Sequence, residues 1–96
     1  MAGNEQIEEN IQNLPKNLEL AVVNMDKILY EKRVNSVILP VLGGSLAILP
    51  GHTPLFTKLI KGILEIEDTD NTRENIEIEG GIAKVKQGKI VVLVGF

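Results

Sequence analysis

From Leu18 to Val94 apolar and polar residues alternate in short runs with a period of two, the pattern of half-buried strands. Leu18-Glu19-Leu20-Ala21-Val22 opens the series, and Asn24-Met25-Asp26 reads as a turn. Lys27–Tyr30 is a short run that pairs back on it, and Val34–Val41 is a strand rich in Val, Ile and Leu. Ser45–Leu49 follows the Gly43-Gly44 turn. After Gly62, Ile63-Leu64-Glu65-Ile66-Glu67 alternates cleanly, and Ile76-Glu77-Ile78-Glu79 repeats the alternation beyond a polar hairpin tip at Asp68-Thr69-Asp70-Asn71-Thr72. Gly80-Gly81 leads into Ile82–Lys86, and Gln87-Gly88 leads into Lys89–Val94. Strands this short, with turn signals at such regular spacing, predict an all-β sandwich or barrel. In the acidic hairpin Leu64, Ile66, Ile76 and Ile78 face the core, while Glu65, Glu67, Glu77 and Glu79 face water.

The first sixteen residues follow another rule. Ile7, Ile11 and Leu14 fall at helical spacing among Glu, Gln and Asn, which predicts a short N-terminal helix with one narrow apolar stripe. Asn4 is its candidate cap and Pro15 its stop. Residues 1–16 are therefore read as a polar extension and residues 17–96 as the folded domain.

Composition narrows the function classes. The chain has 96 residues and no cysteine, so disulfides, thiolate catalysis and thiolate-bound zinc are excluded. A net charge of −3 and one Tyr, two Phe and no Trp leave neither a basic footprint nor a stacking platform for nucleic acid. No apolar run approaches the ~20 residues of a helical membrane span.

The candidate chemistry is sparse. His52 is the lone group poised for proton transfer near neutral pH, with only Thr53 and Ser45 nearby to serve as nucleophile, and it reads as a corner histidine bonded to backbone. Neither glycine pair opens a helix or carries the Lys-Ser/Thr of a phosphate loop. The carboxylates lie on alternating strand positions, in the hairpin tip or in the N-terminal segment, and no cofactor or metal is predicted. Val37-Ile38-Leu39 and Ile90–Val94 are apolar on both faces, one more than a two-layer sandwich buries. Either loops or the N-terminal stripe cover the second face, or a partner docks on it.

One run stands apart: Leu39-Pro40-Val41-Leu42-Gly43-Gly44-Ser45-Leu46-Ala47-Ile48-Leu49-Pro50-Gly51-His52-Thr53-Pro54-Leu55. With Lys61-Gly62-Ile63-Leu64 and the later Glu79-Gly80-Gly81-Ile82-Ala83-Lys84-Val85, it resembles the epsilon subunit of rotary F-type ATP synthases, the delta subunit of mitochondria. The resemblance implies a flattened antiparallel β-sandwich of about ten short strands. It also implies a non-catalytic rotor subunit at the foot of the central stalk, bound to the gamma subunit and the c-subunit ring, touching the membrane only through the complex. On this reading Gly43, Gly44, Ser45, Ile48, His52, Thr53 and Leu55 are the partner-binding candidates. The family commonly carries an acid in the loop where Ser45 stands, and a Gly where Ala47 stands. Typical members continue into a C-terminal helical hairpin that inhibits ATP hydrolysis, so that function is not expected of a chain ending at Phe96. The rival reading is a small-ligand or carbohydrate-binding sandwich, which three aromatic residues support poorly.

Overall fold

The computed structural model describes residues 16–95, and the helix expected over Ile7, Ile11 and Leu14 lies outside them. Eight strands follow one another: β1 (Leu18–Asn24), β2 (Lys27–Val41), β3 (Gly44–Ile48), β4 (Leu55–Leu59), β5 (Gly62–Asp68), β6 (Arg73–Ile78), β7 (Gly81–Lys86) and β8 (Lys89–Val94). The sandwich is as expected, and the described residues form eight strands where about ten were expected. Two runs that read as separate strands join into the 15-residue β2, and β4 forms just after the Pro50–Pro54 corner, in a segment to which the alternation assigns no strand.

The pairing order is β4-β7-β8-β1-β2-β5-β6, with β3 also paired to β2. β2 therefore serves two layers. Its first half closes a five-stranded layer with β4, β7, β8 and β1, and its second half lies between β3 and β5 in a four-stranded layer edged by β6. All pairings are antiparallel except β1 with β8, which is parallel and joins the first and last strands inside the five-stranded layer. The sheet is thus mixed where an antiparallel one was expected.

A single extra residue lets β2 serve both layers. Val34 pairs with Asp68 and Ser36 with Glu67, so Asn35 is a bulge without a cross-strand partner. The bulge shifts the inward phase from Val34 to Val37 and Leu39, and all three are fully buried. One core joins the layers: Leu20, Val22, Leu59, Val85, Ile90 and Val92 meet Val37, Leu39, Ile48, Leu64, Ile66 and Ile78. Burying each large aliphatic side chain is worth about 1.5–3 kcal/mol. In the β5–β6 hairpin Leu64, Ile66 and Ile78 are buried and Ile76 half-buried, while Glu65, Glu77 and Glu79 are exposed, as the alternation predicts.

Candidate partner-docking surfaces

β2 and β3 are joined by a two-residue turn, Leu42-Gly43, since Val41 already pairs with Gly44 and Pro40 with Ser45. Gly43 takes φ 89°, a conformation that costs a side chain dearly. The tip is therefore one residue earlier than the Gly43-Gly44 reading placed it, and Leu42 occupies it with 89% of its surface exposed. Gly43, Gly44 and Ser45 are exposed beside it. The N–H of Ile60 donates to the carbonyl of Pro40 at 3.0 Å, bringing the β4–β5 connection against this hairpin. Val41, Leu42, Thr57, Lys58 and Ile60 line a shallow groove there.

The other candidates lie at the far end of β3. Five residues of strand separate the turn from the His52 corner, about 13 Å at the usual rise, so the predicted set is two surfaces rather than one. Ile48 has no exposed surface and packs into the core, so it supports the corner from beneath and cannot itself meet a partner. Its neighbour Leu49 points the other way and is 58% exposed. His52 donates its backbone N–H to the Leu49 carbonyl at 3.1 Å, and its Nδ1 donates to the Thr53 carbonyl at 2.7 Å. Its ring thus braces the turn that Pro50 and Gly51 begin. Thr53 is exposed, and Leu55 is half-buried and rests on the core at the start of β4.

Sequence reasoning missed Leu42, although a leucine set beside Gly-Gly is itself a signal, because a hairpin tip is where an apolar side chain gains least from folding. It also placed Asp68 in the solvated hairpin tip. Asp68 instead ends β5 and is 3% exposed. Its carboxylate forms an ion pair with Lys32 and accepts the backbone N–H of Thr69 at 2.8 Å. Beside it the hydroxyl of Tyr30 donates to Oε2 of Glu74 at 2.5 Å. Together these groups satisfy the polar rim of the core where β2 meets β5 and β6.

The rim has a pH signature. Desolvation, then the hydrogen bond to Glu74 and the nearby negative charge, push the Tyr30 phenol well above its ordinary value. The Asp68 carboxylate raises the Lys32 ammonium as well, through their hydrogen bond. For both groups the folded state holds its proton at pH values where the unfolded chain has released it. Their stabilisation is therefore complete below about pH 10 and is lost as pH rises through the folded-state values. Urea midpoints should fall as pH is raised above about 10, and Tyr30→Phe should flatten that fall. Because Tyr30 is the sole tyrosine and tryptophan is absent, phenolate absorbance follows it directly. An ordinary tyrosine titration in the folded protein would contradict the prediction.

Comparison with known proteins matches residues 17–95 to the family described as ATP synthase, Delta/Epsilon chain, beta-sandwich domain. The ATP synthase epsilon chain of Bordetella avium is 38% identical over 76 residues, 79% of this chain and 54% of that one. That of Rippkaea orientalis is 39% identical over 77 residues, 80% of this chain and 56% of that one. The chain thus spans about half the length of the curated relatives it matches. Among solved structures, a chain of the Euglena gracilis mitochondrial ATP synthase, in a structure of OSCP, F1 and c-ring, superposes with a TM-score of 0.79 at 25% identity, over 85% of this chain and 52% of that one. A chain of the Tetrahymena thermophila mitochondrial ATP synthase shares the fold, with a TM-score of 0.67 at 18% identity over 86% of this chain and 66% of that one. The curled sandwich, the proline-framed corner and this match over 17–95 together make the chain a member of the ATP synthase delta/epsilon family, through its β-sandwich domain.

Proposed function

We propose that this chain is a non-catalytic rotor subunit of an F-type ATP synthase, joining the gamma subunit to the ring of c subunits and helping couple proton flow to ATP synthesis. The family match along the whole sandwich is the observation that carries the reading. In this role the chain sits as a peripheral subunit on the cytoplasmic face of a bacterial membrane, or on the equivalent side of an energy-transducing organelle membrane. It uses no cofactor of its own. Inhibition of ATP hydrolysis through C-terminal helices is not part of the proposal.

The two surfaces at the ends of β3 suit the work. The Leu42 turn offers an exposed apolar anchor rimmed by backbone and the Ser45 hydroxyl, a composition that seats in a pocket of a partner. Ser45 in place of an acid replaces a charged contact with a hydroxyl that can donate or accept. His52 holds the second surface rigid, so its expected role is in assembly rather than in proton transfer.

Copurification of the chain with gamma and the c ring is the direct test, and a folded preparation that never associates with gamma would sink the proposal. Leu42→Glu should leave the unfolding midpoint unchanged while lowering retention in the complex at least ~10-fold, the loss expected when an anchor worth about 1.4 kcal/mol or more is removed. Normal assembly of that variant would remove the turn from the interface.

A further inference from the structure

The registers of the five-stranded layer line up its outward side chains in rows. One row runs Lys58–Ile82–Leu93–Val23–Ile28 and the next Phe56–Lys84–Val91–Ala21–Glu31. Phe56, Ile28 and Leu93 are exposed, and Val23, Ile82 and Val91 are half-buried, so an apolar band crosses this face in the described residues. A third row, Lys86–Lys89–Glu19–Arg33, borders the band. The face therefore carries five cations (Lys58, Lys84, Lys86, Lys89 and Arg33) against two carboxylates, Glu19 and Glu31. The outer face of the four-stranded layer has the opposite balance, with Glu65, Glu67 and Glu77 against Arg73.

The chain itself contains a segment of matching character. Residues 1–15 hold three carboxylates, Glu5, Glu8 and Glu9, and no Lys or Arg, and their apolar stripe is Ile7, Ile11 and Leu14. They join the domain on the side of the basic face. Arg33, in the bordering row, donates from Nη1 to the Asn17 side chain at 2.9 Å, and the Glu19 N–H donates to the Gly88 carbonyl at 3.0 Å. The chain therefore enters β1 tied to this edge. Eleven residues of helix are about 16 Å long, and five strands are about 19 Å across. A helix this short is marginal alone in water and needs a surface to hold it.

We propose that residues 4–14 pack as a helix across the outer face of the five-stranded layer, with Ile7, Ile11 and Leu14 on the apolar band and the glutamates among its lysines. Two copies joined through this face alone would set like charges against each other, and a second copy offering its acidic face would lose its contact on dilution. The proposal stands whether or not the chain binds a gamma subunit, and it makes the N-terminal segment a built-in competitor for any partner of this face.

Amide spectra of the full chain and of an Ile7→Glu/Ile11→Glu variant test it, because every buried side chain of the described core lies in 18–94 and the variant keeps that core. Shift changes should concentrate at Ala21, Val23, Ile82, Val91 and Leu93 and spare Ile63 and Glu65. A nitroxide on Gln12→Cys, on the polar side of the stripe and in a chain with no other cysteine, should broaden Leu93 and Ile82 and leave Ile63 sharp. Absence of change on the basic face, change on the acidic face instead, or broadening that disappears on dilution with unlabelled chain would each overturn it.

Discussion

Ile48→Asp is expected to abolish folding of the domain. Ile48 is fully buried, pairs with Val37, and belongs to the cluster that joins the two layers. Truncating a buried isoleucine to alanine costs about 2–5 kcal/mol from lost transfer energy and the cavity left behind. A carboxylate there adds several kcal/mol more, because none of its core neighbours offers a cation or donor. A domain of this length is stable by only about 4–12 kcal/mol, so the change consumes most or all of it. Far-ultraviolet circular dichroism should show no cooperative urea transition. A midpoint like that of the parent would contradict the burial.

The adjacent substitution gives the contrast. Leu49→Asp places its charge at a position more than half exposed, so its unfolding midpoint should stay close to the parent's. The sequence alternation already implied that one of the pair faces inward, but period two cannot say which. That depends on where β3 begins, and the turn begins at Leu42 rather than Gly43. A shift of one residue in a turn inverts every side chain beyond it.

The same physics explains what else could and could not be read along the chain. The acidic hairpin was legible because Glu and Ile alternate without interruption over both arms. β4 was not, because Pro54 before it and Ile60 after it blur its ends, although Leu55, Thr57 and Leu59 turn inward in proper alternation. The continuity of β2 was hidden by the Asn35 bulge, which breaks the period at the point where one strand passes between layers. Asp68 was misplaced because aspartate favours turns. Its burial follows from Lys32, 36 residues away, and nothing local announces that partner. The parallel β1–β8 pair is equally non-local. Of the candidate partner surfaces, the proline-framed run was legible as an identity rather than as chemistry, through a motif whose separate parts end up at opposite ends of one strand.

Gly81→Ala is expected to be the most damaging conservative substitution in the chain. Gly81 opens β7 between Leu59 of β4 and Val94 of β8, with φ 157°. A Cβ added there would lie 2.1 Å from the Leu93 carbonyl oxygen and 3.1 Å from its carbon. Both atoms are backbone, so no rotamer change relieves the overlap, and β7 and β8 would have to separate at the pair that anchors the last strand. Forced overpacking costs about 1–3 kcal/mol, and the unfavourable backbone region adds about 1–3 kcal/mol. Gly88→Ala separates the two effects. Gly88 has φ 74° but nothing within 4 Å of its would-be Cβ, so it suffers strain alone, about 1–2 kcal/mol. Urea unfolding of both variants should therefore show a clearly larger loss for Gly81→Ala. Equal losses would mean that β7 and β8 can part without penalty at Leu93, and that the close approach at Gly81 does not hold the last strand against the sheet.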